Sequence, residues 1–295
     1  MLIPSYYLPA AFGLTAVGVW GTSDFLGGLG SRRASAFLFT SIVHGSGFAL
    51  AAALALAIRS PLPKGTSIFW ALIAGAVGGS ALALFYRALA GGKMGLIAPI
   101  AAVLSAGIPT IVTAFSEGLP GTRQILGFVL AVIGVWLISR AESTQDSNDG
   151  TSPGNDKNGR RPQGLGTAVL AGIAFAGFYL CIHRAGNGSA LWLAVYSRFA
   201  SLLVTLAFVS FTRQFRAVPR PILAIAVVAG ILDITGSVAF IRASQIGRLD
   251  VAVVLSSLYP AVTVVLARIF LHEHFSRART LGMLAALAAV PMIAG

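Results

Sequence analysis

The chain has 295 residues, of which 56% are hydrophobic and only 10% charged, and its mean hydropathy is +0.84. A soluble domain needs about 25% charged residues to cover its surface, so a water-soluble globule is excluded and lipid must cover this chain. The net charge of +12 does not indicate a nucleic-acid binder, because the basic residues stand singly between apolar segments and form no patch or arm.

A spanning helix needs about 20 mostly apolar residues. Ten segments meet this, at roughly 8–29, 35–58, 67–90, 95–115, 122–139, 165–183, 189–211, 220–241, 248–270 and 278–294. Met1 leads into the first without a basic n-region, so that segment reads as a retained span rather than a cleaved signal. No segment shows the alternating pattern of a lipid-facing barrel strand. Helices also satisfy every backbone N–H and C=O internally, as lipid requires. The one long polar stretch, 141–163 (AESTQDSNDGTSPGNDKNGRRPQ), has no apolar periodicity and reads as a disordered linker. It divides the chain into a half at 1–140 and a half at 164–295. The single cysteine, Cys181, excludes an internal disulfide framework and a cysteine-based zinc site.

The halves repeat each other. FYRALAGGK at 85–93 matches FIRASQIGR at 240–248, and an offset of 155 residues aligns Arg87 with Arg242, Gly92 with Gly247, Phe115 with Phe270 and Gly127 with Gly282. Glu117 and Glu273 need an offset of 156, so one half carries a one-residue slip. Five helices per half is an odd number, so the second half must sit inverted relative to the first. That layout is the mark of transporters built around a midplane site. The expected fold is therefore an all-α membrane protein with ten transmembrane helices arranged as two inverted five-helix repeats. Glycines within the spans, among them Gly75, Gly78, Gly79 and Gly236, permit close helix packing where lipid removes the hydrophobic drive.

Prolines fall inside the fourth and ninth spans. Pro99 stands near the start of its helix, where proline is tolerated, while Pro109 and Pro260 should each free a carbonyl and kink the chain. All three are candidates for shaping a central cavity.

An ionisable side chain inside a span must be paired, neutral or facing water, and is a functional candidate by default. Asp233 lies near the middle of the eighth span and Arg198 near the middle of the seventh, so the two are placed to pair across neighbouring helices. The pairing is open between a fixed structural link and an exchange of Asp233 among Arg198, a proton and a solute. Asp24 lies about one and a half turns from the end of the first span, with Trp20 four residues before it on the same face. His44 stands mid-span in the second helix and reads as a hydrogen-bonded structural group sooner than as a proton relay. His272-Glu273-His274 matches a metal ligand set only superficially, since adjacent helical positions point apart, and no metal is expected.

The stretch RASQIGRLDVAVVLSSLYPAVTVVLARIFLHEHFSRARTLGMLAALAAV resembles the drug/metabolite transporter superfamily, in particular its EamA-type members, through Ala243, Gly247, Leu258, Pro260, Glu273 and Gly282. The first half repeats the pattern in Ala88, Gly92, Glu117 and Gly127, but has Leu104-Ser105 where the proline is expected. The resemblance implies a permease: secondary transport of a small metabolite, often efflux of an amino acid or drug-like solute, by alternating access. It also implies a cavity lined by helices one, three, four, six, eight and nine. On that basis Trp20, Asp24, Tyr86, Tyr179, Arg198, Asp233, Ser256 and Tyr259 are the candidate substrate-binding or coupling residues. A small-molecule solute, lipid and a coupled proton or counter-solute are the expected partners, with no cofactor, in a monomer or homodimer of the bacterial inner membrane. No GxxxxGK[ST] occurs, so ATP is not the direct energy source. No GxSxG or HExxH occurs, which argues against an intramembrane enzyme; a passive channel or scaffold is the other alternative. The loops after odd-numbered spans hold 14 of the 21 Lys and Arg residues, which places the termini outside the cytoplasm. The resemblance implies cytoplasmic termini, so orientation stays open.

Overall fold

The computed structural model describes residues 8–91, 94–116, 118–119, 121–145, 164–271 and 277–293. These form α1 (Leu8–Ser31), α2 (Ala36–Ala57), α3 (Gly65–Gly91), α4 (Met94–Ser116), α5 (Thr122–Gln145), α6 (Leu165–Arg184), α7 (Ala190–Phe211), α8 (Arg220–Ile246), α9 (Leu249–Ser256), α10 (Tyr259–Leu271) and α11 (Arg277–Ile293), with no strand among the described residues. Six stretches are long and apolar enough to cross a membrane: Ala36–Ala57, Gly65–Gly91, Gly166–Arg184, Ala190–Phe211, Arg220–Ile246 and Leu249–Leu271. Large apolar side chains such as Phe69, Ile111, Leu170 and Leu203 are more than half exposed on their helices. Such a surface is suited to lipid and not to water. α1 falls below the membrane-length set because Thr15, Thr22, Ser23, Asp24 and Ser31 dilute it; the last three of these are buried. α5 continues to Gln145, five residues into the stretch read as linker, while 146–163 lies outside the described residues.

Local chemistry sets the ends of the two central helices in the same way. Ser35 caps α2 by accepting from the Leu38 N–H, and Ser189 caps α7 by accepting from the Trp192 N–H. Both helices are 22 residues long. Both end with an arginine in the left-handed region, Arg59 at φ 48° and Arg213 at φ 51°. At each end the next N–H reaches back five residues, Ser60 to the Ala55 carbonyl and Gln214 to the Val209 carbonyl, as in a Schellman closure. The helices are clasped to each other at both ends by equivalent residues. Ser35 Oγ donates to Gln214 Oε1, and Ser60 and Ser189 share a hydroxyl hydrogen bond of 2.5 Å. The start of each helix therefore sits on the finish of the other, so α2 and α7 run antiparallel.

The remaining packing follows the same exchange. α1 lies along α8 as α6 lies along α3, and α3 crosses α7 as α8 crosses α2. α5 and α11 pack mainly on each other at the periphery. Close approach depends on glycine: a Cβ at Gly79 would lie 2.7 Å from Ser201 Cα, and Ser201 Oγ donates to the Gly75 carbonyl at 2.7 Å.

The fourth and ninth spans differ. The ninth is broken at Ser257-Leu258, between α9 and α10. Pro260 has no N–H to give the Ser256 carbonyl, and Ser257 turns its own hydroxyl back to the Val254 carbonyl at 2.7 Å. At the equivalent point of α4 stands Ser105, which can donate a backbone N–H, and the helix continues. α4 also runs without interruption through Pro109, and Pro99 lies in its second turn.

Candidate functional site

A cavity with an empty volume of about 460 Å³ lies among α1, α3, α6, α7, α8 and α10. Six of the residues singled out from sequence line it: Trp20, Asp24, Tyr179, Arg198, Asp233 and Tyr259. α7 contributes through Arg198, and among the described residues α4 contributes none, where the resemblance had implied the fourth helix and not the seventh.

One wall is ionic. Arg198 and Asp233 form an ion pair with an N–O separation of 2.9 Å, and both are almost wholly buried. Arg198 also donates to Ser237 Oγ, and Ser237 Oγ donates to the Asp233 carbonyl at 2.9 Å. Asp233, one turn before Ser237, thus holds Arg198 through both its carboxylate and its neighbour on the same face. Arg198 Nε has no hydrogen-bond partner.

The other wall is aromatic. Trp20 Nε1 donates to the Asp233 carbonyl at 3.1 Å, which fixes the indole against α8. Gly236 makes room for it, since a Cβ there would lie 2.6 Å from Trp20 Cδ1. The Trp20 ring stands 6.2 Å from Tyr179 and 5.7 Å from Phe240, and Tyr179 lies 4.7 Å from Phe240. Tyr259 stands edge-on to Phe85 at 6.4 Å, and its hydroxyl is buried with no hydrogen-bond partner.

Asp24 completes the lining, one turn beyond Trp20. It is 7% exposed and no basic side chain pairs with it among the described residues. Its side-chain neighbour is Tyr86, which sits behind the cavity wall. The Tyr86 hydroxyl also lies 3.3 Å from Ser23 Oγ, and Ser23 in turn donates to the Ala229 carbonyl at 2.9 Å. Tyr86 is thus a supporting residue and not a lining one. Ser256 is buried at the end of α9, its hydroxyl unpartnered and away from the cavity lining.

His44 is fully buried, and neither ring nitrogen has a partner. The reading of a hydrogen-bonded structural histidine is therefore not what the structure shows. Its electrostatic neighbour is Arg198. Asp250 pairs with Arg248 at 3.0 Å and accepts from the Val251 N–H at the start of α9. His272, Glu273 and His274, like Glu117, lie outside the described residues.

Sequence reasoning missed Gly78, Leu82, Phe175, Phe178 and Ser237 as lining residues. Helical spacing carried the signal: Ser237 is four residues from Asp233, Phe175 four from Tyr179, and Gly78 four from Leu82.

The fold and the cavity define a multi-pass integral membrane protein with a polar, charge-bearing hollow inside a helical bundle. Residues 162–295, the second half of the chain, match the model of the EamA-like transporter family, so that half is similar to the drug/metabolite transporters. Members of that family are membrane transporters rather than enzymes. A solved structure titled "Crystal structure of protein" is 18% identical, covers 97% of each chain and superposes with a TM-score of 0.74; that similarity shows the shared fold alone. Comparison with curated proteins gives no match.

Proposed function

We propose that the chain is a secondary active transporter that moves a small organic solute across the bacterial plasma membrane by alternating access. Residues 1–140 and 164–295 act as two inverted five-helix halves, ten spans in all, joined by 141–163. The reciprocal clasp of α2 on α7 and the exchanged packing of α1–α8 with α6–α3 support this arrangement, because they are what a two-fold relation between inverted halves produces. Energy comes from a proton or counter-solute gradient.

The observation that carries the substrate reading is the charge balance of the cavity. Arg198 and Asp233 neutralise each other, which leaves Asp24 as the unmatched charge. A buried carboxylate needs a cation or a proton. The solute therefore offers a basic nitrogen to Asp24 and lays an apolar or aromatic body on Trp20, Tyr179 and Tyr259, where ring faces add a cation–π contribution of about 0.5–2 kcal/mol. An amino acid is the second candidate, with its carboxylate on the Arg198 edge, where Nε has no partner. Proton and solute compete for one carboxylate, so each expels the other, and that competition is the coupling.

The test is counterflow in proteoliposomes with a panel of aromatic amines and amino acids. The wild type should show saturable uptake stimulated by internal solute, and Asp24→Asn should abolish it while keeping the same elution profile. Full activity in Asp24→Asn overturns the substrate reading. Unsaturable flux without counter-solute stimulation overturns the carrier reading in favour of a channel.

A further inference from the structure

A second cavity, with an empty volume of about 640 Å³, opens at one end of the bundle between the α1–α2 turn and the α7–α8 loop. Arg32, Arg33 and Arg216 line it, beside Ser35 and the apolar Leu38 and Val218. All three arginines are exposed, and among the described residues no acidic side chain pairs with them. Three unpaired guanidinium groups around one hollow repel each other and leave their donor forks unfilled. Guanidinium forks match phosphate oxygens two at a time.

The internal repeat supplies a control. The offset of 154 that pairs Ser35 with Ser189 and Ser60 with Gln214 pairs Arg32 with Gly186, Arg33 with Asn187 and Arg216 with Leu62. None of the three counterparts is charged. That end of the bundle is also filled from within, because Gln245 Nε2 donates to the carbonyls of Gly186 and Gly188 at 3.1 and 2.8 Å. The shared fold therefore does not need cations here; one end has a plug and the other an open basic cup.

We propose that this cup is a binding site for a phosphate-bearing anion, which joins the α1–α2 turn of the first half to the α7–α8 loop of the second. The source favoured by its surroundings is an anionic lipid headgroup. Phe211, at the end of α7, and Phe215, on the same loop as Arg216, stand 87% and 65% exposed, large apolar side chains suited to lipid beside the cup. A basic pocket between spans at that depth is suited to such headgroups. Occupancy ties together the ends of α1, α7 and α8, the helices that carry Asp24, Arg198 and Asp233. It therefore favours whichever conformation of the transporter holds those ends closest.

Native mass spectrometry of the full-length protein, purified in detergent and offered phosphatidylglycerol or phosphatidylcholine, tests this. The wild type should retain phosphatidylglycerol selectively. Arg216→Gln should lower that preference about fivefold, and the triple change Arg32→Gln, Arg33→Gln, Arg216→Gln should remove it, each arginine contributing about equally. A parallel thermal-unfolding series with inorganic phosphate separates the sources: stabilisation of the wild type but not of Arg216→Gln assigns the site to soluble phosphate, whereas none assigns it to lipid. Arg216→Gln lies on an exposed loop and serves where the triple variant does not fold. Equal retention of both lipids by the wild type overturns the proposal, as does undiminished preference in Arg216→Gln.

Discussion

Removing either member of the Arg198–Asp233 pair should cost far more stability than removing both. At 2.9 Å the two charges attract by about 6 kcal/mol at an effective dielectric of about 20. Taking them out of water costs several kcal/mol for each ion. The pair is therefore close to neutral in net stability against an apolar replacement. Asp233→Asn leaves the Arg198 guanidinium buried with Ser237 as its remaining side-chain acceptor, a loss of about 3–5 kcal/mol. Arg198→Leu leaves the Asp233 carboxylate buried beside Asp24 in the same cavity, with a loss of the same order. The double variant Arg198→Leu, Asp233→Leu leaves no stranded charge, and its melting temperature in detergent should recover most of the difference. Transport should be lost in all three, because the double variant restores packing and not charge balance. Thermal unfolding of the four proteins compares one stranded charge with none, and counterflow across a pH series gives the functional readout. An Asp233→Asn protein with wild-type stability and an unchanged pH dependence of transport would refute the reasoning: the pair would then be neither a buried electrostatic unit nor part of coupling.

Two further outcomes test the packing and the repeat. Gly79→Ala should destabilise by about 1–3 kcal/mol through overpacking against the Ser201 backbone, whereas Gly18→Ala, with nothing within 4 Å of its new Cβ, should be neutral or stabilising; melting temperatures compared side by side decide it. Ser35→Ala and Ser189→Ala each remove an N-cap and one arm of the clasp, and should cost similar amounts, about 0.5–2 kcal/mol each. A large cost for one and none for the other, in the same unfolding assay, would show that the two ends of the α2–α7 pair are not equivalent.

The helices and the cavity were legible in different degrees. Helix positions followed from apolar run length, because a spanning segment has no alternative way to satisfy its backbone. The charged residues of the cavity were legible because lipid makes them costly: Asp24, Arg198 and Asp233 stand out in a chain with nine acidic residues, and all three line one hollow. The aromatic wall was only half legible. Trp20, Tyr179 and Tyr259 carry polar tips that drew attention, while Phe175 and Phe178 look like any lipid-facing residue until the packing of α6 on α3 is known. The Tyr86 hydroxyl suits either a solute contact or a cross-link between helices, and the closeness of α1, allowed by Gly27, sets it against Ser23.

The break in the α9–α10 span bears on how the proposed transporter would move. α4 and the α9–α10 span occupy equivalent positions, yet only the second is interrupted, at Ser257-Leu258 ahead of Pro260. The break separates two unlike spaces. Tyr259, on one side, lines the charged cavity. Ser257 and Leu258, on the other, line an apolar hollow against α4 and α5 whose empty volume is about 720 Å³. Ser257 and Thr110 in that hollow spend their hydroxyls on their own helices, on Val254 and Ala106, so nothing polar resists a shift of the wall. A helix already open at its hydrogen-bond ladder can bend there without breaking further bonds, and the hollow against α4 and α5 leaves Ser257 and Leu258 loosely packed on that side. Under the proposed transport reading, a solute held between Asp24 and Tyr259 presses on this interrupted segment. The intact α4 stands at the repeat-equivalent place in the first half, so under that reading the two halves need not contribute equally to opening.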